Sequence, residues 1–145
     1  MKKSIFAVVL LFGLLLCCNG CIANKTYTFM QTADNISAID IVYVEPFFNS
    51  KNYSKARVIR AIDSEHWEAF FSDFSSIPCK SQGMDPSQST SGTVIRITYT
   101  DGCCEIISAY TGLQISSKGE CHYPFLRFDN DAFGAFIDKW KNAGS

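Results

Sequence analysis

Hydrophobic and polar positions alternate cleanly in several stretches of the mature-length chain. Ala38-Ile39-Asp40-Ile41-Val42-Tyr43-Val44 places Ile39, Ile41 and Tyr43 on one side and predicts a strand that Pro46 stops. Arg57 to Ile62 is short and β-branched, and predicts a second strand. The period then changes. Trp67, Phe70, Phe71, Phe74 and Ile77 recur at helical spacing after Asp63-Ser64, which supplies acceptors for the free N–H groups of a first turn. Pro78 ends that helix. A second helix is predicted from about Asn130 to Lys141, capped by Asp129, with Phe133, Phe136, Ile137 and Trp140 as its apolar stripe.

Between the helices, Cys79 to Gly92 reads as a long polar loop. Thr93 to Tyr110 then carries the clearest local signal, two β-rich runs joined by Asp101-Gly102. Asp-Gly suits a two-residue hairpin turn, because both residues must tolerate positive φ. That turn puts Ile95, Ile97, Tyr99, Cys104 and Ile106 on one face, and Thr98, Cys103 and Glu105 on the other. Thr111-Gly112 and Lys118-Gly119 suggest further turns around a strand at Leu113–Ser116. His122–Phe128 would form the last strand, at an edge because of Pro124.

The implied order is β-β-α-β-β-β-β-α. Short turns make the sheet antiparallel, and one-sided helices need a sheet to cover. The expected fold is α+β in two layers: an antiparallel sheet of about five to six strands with two amphipathic helices on one face. The opposite face, carrying Arg96, Thr98 and Glu105, is expected to be wet or to be the binding surface.

The N-terminus follows a different logic. Lys2 and Lys3 precede an uncharged run from Ile5 to Cys18, matching a signal h-region and too short to span a bilayer. Gly20-Cys21 follows, and the segment resembles a bacterial lipoprotein signal peptide, in which a Cys after a small residue is lipidated and becomes the mature N-terminus. Cleavage after Ala23 as an ordinary secretory signal, or an uncut anchor, are the alternative readings. All three export the chain. The expected organisation is a signal peptide over residues 1–20, a flexible tether over 21–36 and a single α+β domain over 37–145, with Cys21 as the lipid attachment site. The implied partner is the lipid bilayer, reached through the acylated Cys21.

Composition adds limits. Hydrophobic residues are 47 % of the 145-residue chain, enough to build a core. The net charge of −1, or −3 once Lys2 and Lys3 are removed, argues against nucleic acid as a partner. Past Cys21 the chain has four cysteines, Cys79, Cys103, Cys104 and Cys121, and disulfides are permitted in an exported protein. The expected faces favour Cys79 with Cys104 and Cys103 with Cys121. A zinc site from Cys103, Cys104, Cys121 and His122 lacks the Cys-x₂-Cys spacing that wraps a tetrahedral ion. No phosphate loop, nucleophile elbow or His-Glu-x-x-His motif occurs, so neither a catalytic residue nor a cofactor is assigned. Phe47, Phe48 and Tyr53 form an aromatic loop that could anchor a binding surface or add to the core.

The stretch Cys79 to Ser108, with Asp85-Pro86, Gly92, Ile95-x-Ile97-Thr98-Tyr99-x-Asp101-Gly102 and Glu105-Ile106-Ile107-Ser108, resembles small exported lipoproteins of Gram-positive gut bacteria. These end in a Phe-x-Phe-Asp strand before an aromatic helix. Phe128-Asp129 and Phe133 match, while Leu126 stands at the first Phe. The resemblance implies an exported lipoprotein with no assigned activity. The expected function is a non-catalytic binding module that meets an unknown cell-surface protein or ligand. The alternative is a thiol-dependent enzyme or redox protein using Cys103 or Cys104.

Overall fold

A computed structural model of the chain describes residues 25–45, 56–81, 92–124 and 126–143. Cys21 and the aromatic loop residues Phe47, Phe48 and Tyr53 lie outside the described residues. The strands are β1 (Ile36–Val44), β2 (Arg57–Ile62), β3 (Cys79–Ser81), β4 (Gly92–Tyr99), β5 (Cys104–Ile107), β6 (Gly112–Ile115), β7 (Cys121–His122) and β8 (Leu126–Phe128). The helices are α1 (Trp67–Ser75), between β2 and β3, and α2 (Asn130–Asn142), after β8.

The fold is α+β, as the patterning predicts. Six strands form an antiparallel sheet in the order β2-β1-β4-β5-β6-β7, and β3 and β8 form a separate two-stranded sheet. Two details of the strands differ from expectation. The first residues of the supposed Cys79–Gly92 loop are a strand. The supposed single strand His122–Phe128 is broken in two: β7 stays on the main sheet, and β8 leaves it to pair with β3. Pro124 lies between the two pieces, where its lack of an N–H donor interrupts a ladder.

Both helices cover one face of the main sheet. Phe70, Phe74 and Ile77 from the first helical segment, and Phe133, Phe136, Ile137 and Trp140 from α2, are buried with Ile39, Ile41, Ile95, Ile97, Tyr99 and Ile107. Trp67 and Phe71 flank this core half-buried. Phe70 meets Phe136 and Trp140 edge to face, with ring centroids 5.0 Å and 5.3 Å apart. Asp73 ties the helices together, accepting from Lys139 Nζ at 2.6 Å and Trp140 Nε1 at 2.9 Å. Asp129 caps α2 as expected, accepting from the Ala132 N–H at 2.9 Å. The Asp63 side chain does not cap α1. A 3-10 turn over Ser64–His66 precedes that helix, and the Asp63 carbonyl accepts from the His66 N–H at 2.9 Å.

The hairpin departs from the two-residue turn by one position. Tyr99 N–H donates to the Cys103 carbonyl at 2.9 Å, so Thr100, Asp101 and Gly102 together form a three-residue loop. Gly102 takes φ +86°, the left-handed residue that such a loop requires. The ladder pairs Ile95 with Ile107, Ile97 with Glu105 and Thr98 with Cys104. A one-residue slip sends every side chain of the second strand to the other face. Cys103, Glu105 and Ile107 therefore join the helix side. Cys104 and Ile106 join Val42, Val44, Val94, Leu113 and Ile115 in a second buried apolar cluster. The face expected to be wet is instead largely apolar.

Residues 25–35, expected to be part of a tether, lie against the sheet. Tyr27 is buried in the main core, and Lys25 N–H donates to the Cys79 carbonyl at 2.8 Å. Thr100 N–H donates to the Asn35 carbonyl at 2.8 Å. The apolar positions Tyr27, Phe29 and Met30 supply the reason: each buries surface that a solvated tether would leave in water.

Candidate functional site

The register shift turns Glu105 to the helix side of the sheet, where the N-terminal arm covers it. Its side chain is fully buried. Four donors converge on it. The Tyr27 hydroxyl donates to Oε2 at 2.7 Å, and Gln114 Nε2 donates to the same oxygen at 3.2 Å. The Tyr99 hydroxyl and the Met30 N–H both donate to Oε1. Gln114 Nε2 also donates to the Thr28 carbonyl at 3.0 Å.

Each donor is placed by a specific piece of backbone. Tyr99 sits at the last position of β4, two strand positions beyond Ile97, which faces Glu105 across the ladder. Gln114 is the register partner of Glu105 on β6. Tyr27 reaches the site only because Gly112 has no side chain. An added Cβ there would stand 2.9 Å from the Tyr27 hydroxyl oxygen and 2.8 Å from Pro124 Cγ.

Removing a carboxylate from water costs several kcal/mol unless its lone pairs are taken up. Here they are taken up from three directions, and charge-assisted bonds are the strong ones. Burial, reinforced by the charge of Glu105, raises the ionisation of the Tyr27 hydroxyl far above its ordinary range. Burial, with hydrogen bonding to Glu105, does the same for Tyr99. Both phenols thus stay protonated and stay donors. An enclosed carboxylate with its acceptor sites used is built to hold the arm on the sheet.

A second polar pair lies on the other face. Asp40 and Arg96 are register partners on β1 and β4, and Asp40 Oδ2 accepts from Arg96 Nη2 at 2.7 Å and Nε at 3.1 Å. Both side chains are largely buried. Buried acidic and basic groups persist when paired in this way.

Among the described residues, Cys79, Cys103, Cys104 and Cys121 are free thiols distributed over both faces. Cys79 and Cys103 belong to the helix-side core, and Cys104 belongs to the opposite cluster. Cys121 pairs in register with Ile115, which pairs with Cys104, so Cys121 also shares the Cys104 side with one strand between them. Each expected pairing, Cys79 with Cys104 and Cys103 with Cys121, is therefore divided by the sheet. The face assignment that suggested them moved with the register. The same division separates the four residues weighed as a zinc set. Burial pushes the Cys104 thiol up to about 12, against a lowering by Arg96. Cys103 Sγ lies 3.3 Å from the Asp101 carboxylate, whose other oxygen accepts the Cys103 N–H at 2.9 Å.

Both histidines are exposed. His122 sits on the short strand β7, opposite Gln114. His66 borders a shallow cleft of about 60 Å³ with Arg60, Asp63 and Trp140.

Sequence reasoning missed Tyr27, Gln114 and the inward position of Glu105. One signal was present: Tyr27 and Phe29 alternate with polar residues in a stretch otherwise suited to solvent. No protein-family model, curated protein or solved structure matches this chain.

Proposed function

We propose that the chain is an exported surface lipoprotein, anchored through an acylated Cys21, whose domain is a non-catalytic binding module. The observation that carries the reading is the uncharged run Ile5–Cys18, behind Lys2-Lys3 and one residue before Gly20-Cys21. Several acyl chains on one terminal cysteine give stable membrane attachment. No helix among the described residues is long and apolar enough to cross a membrane.

The thiol-enzyme alternative has less support. A nucleophilic cysteine needs its thiolate near neutral pH, in an electropositive and accessible place. Cys104 is buried with its thiol pushed up to about 12. Cys103 is buried beside a carboxylate.

Intact mass of the protein purified from its host's membranes tests the anchor. Acyl chains on an N-terminal Cys21 are expected, and an unmodified terminus overturns the reading. Replacing Phe47 and Phe48 by Ser tests the aromatic loop as the binding surface. An unchanged melting temperature is expected, and a large loss would assign both rings to the core.

A further inference from the structure

β3 and β8 pair with Cys79 opposite Phe128, both buried, and Lys80 opposite Arg127, both exposed. Two like charges directly across an antiparallel pair repel, and such a pair weakens the sheet that carries it. Lys25 adds a third cation. Its N–H donates to the carbonyl of Cys79, the residue before Lys80, and its side chain is exposed. The ion pairs among the described residues are His66–Glu65, Arg96–Asp40, Lys139–Asp73 and Lys141–Asp138, so none of these three cations has a carboxylate within 4.0 Å there. The patch stands on a chain whose net charge is negative. An exposed tyrosine borders it: Arg127 Cζ lies 5.4 Å over the ring of Tyr110.

The chain's connectivity says what this face meets. Lys25 is four residues beyond Cys21. Fully extended, four residues span at most about 14 Å. Since residues 25–35 are held on the domain by Cys79, Glu105 and Gln114, they add no slack. If Cys21 is in the bilayer, the corner bearing Lys25 stands within that distance of it.

We infer that the face formed by Lys25, Lys80 and Arg127, with Tyr110 beside it, lies on the membrane and binds anionic lipid headgroups. This rests on the lipid anchor at Cys21. Each cation held near an anionic surface strengthens partitioning about five-fold. Tyrosine suits the headgroup layer, with its ring toward the acyl boundary and its hydroxyl in water. The consequence is orientation: the domain is held close to the lipid by one fixed face, with the main sheet and both helices above it.

The test uses the full acylated protein, reconstituted into vesicles of phosphatidylcholine alone or of phosphatidylcholine with phosphatidylglycerol. A water-soluble amine-acetylating reagent is applied, and each lysine is read by mass spectrometry. Lys25 and Lys80 are expected to react several-fold more slowly on the phosphatidylglycerol vesicles. Lys118, and Lys141 in the last turn of α2, serve as references and should not change. The variant carrying Lys80→Gln and Arg127→Gln should lose most of the Lys25 protection with no fall in melting temperature, since it also removes the repulsion across β3 and β8. Equal reactivity of Lys25 and Lys80 on both vesicles, with Cys21 acylated, overturns the membrane face and leaves the anchor standing. A Cys21 without acyl chains overturns the anchor, and the membrane face falls with it.

Discussion

The Tyr27 hydroxyl donates to Glu105 at 2.7 Å across 78 positions of sequence. This bond joins the N-terminal arm to the middle of the main sheet. It also explains why residues with tether-like composition are part of the domain. The arm supplies two of the four donors to Glu105, and β4 and β6 supply the others.

Replacing Glu105 by Ala should be severely destabilising. It leaves two phenols and one backbone N–H without their acceptor, and the Gln114 amide with the Thr28 carbonyl alone. Uncompensated buried polar groups cost about 1–3 kcal/mol each before relaxation or water entry. A total loss of about 3–5 kcal/mol is expected from urea unfolding. Tyr27→Phe removes one charge-assisted bond and should cost about 1.5–3 kcal/mol. Arm residues should then exchange their amide hydrogens faster than β1 or β4 does. Unchanged stability in both variants would sink the latch.

Gly112→Ala tests the same latch without touching a polar group. The new methyl would meet the Tyr27 hydroxyl and Pro124 at distances real Cβ contacts do not show. Either the ring or the Pro124 segment must move. A loss of about 1–3 kcal/mol is expected. The loss should shrink in a Tyr27→Phe background, because the two changes share one contact.

Alkali should destabilise the fold in a defined window. The unfolded chain ionises Cys104 near 9.0, whereas burial holds the folded thiol to about 12. Below pH 9 both states are protonated and this group has no effect. Between pH 9 and 12 the unfolded state has lost a proton that the native state keeps, so stability falls as pH rises. Integrated over that window, the loss is on the order of 4 kcal/mol. The raised Tyr27 and Tyr99 hydroxyls act in the same direction above their ordinary range. Urea midpoints measured from neutral pH upward should show this decline, and Cys104→Ala should make it shallower.

The thiols should differ in access rather than in chemistry. Cys121 is exposed, and Cys79, Cys103 and Cys104 are buried. A maleimide added to the native protein should label Cys121 alone within minutes. The other three should label only after denaturation, with no reductant needed. A cysteine that labels only after reduction would show a disulfide, and the sheet would have to rearrange to make either pairing first expected.

The sequence by itself determined both helices and most of the strands. Asp129 and the stripe Phe133, Phe136, Ile137 and Trp140 specify α2, and all four stripe residues are buried as periodicity requires. The α+β class and the antiparallel sheet followed from alternation and short turns. Only the tertiary structure decided the register of β4 on β5. Asp101-Gly102 fits both a two-residue turn and a three-residue loop with Gly102 at positive φ, and the two differ locally by little. The choice rests on what each register brings together over long range. In the observed one, Ile106 meets Val94 and Leu113, and Glu105 meets donors from a segment some 75 residues away. Those partners lie far from the turn in sequence, so no local pattern could show them. The inward Glu105, the buried Tyr27, the divided cysteines and the place of Ile106 in the second apolar cluster all follow from that one residue of register.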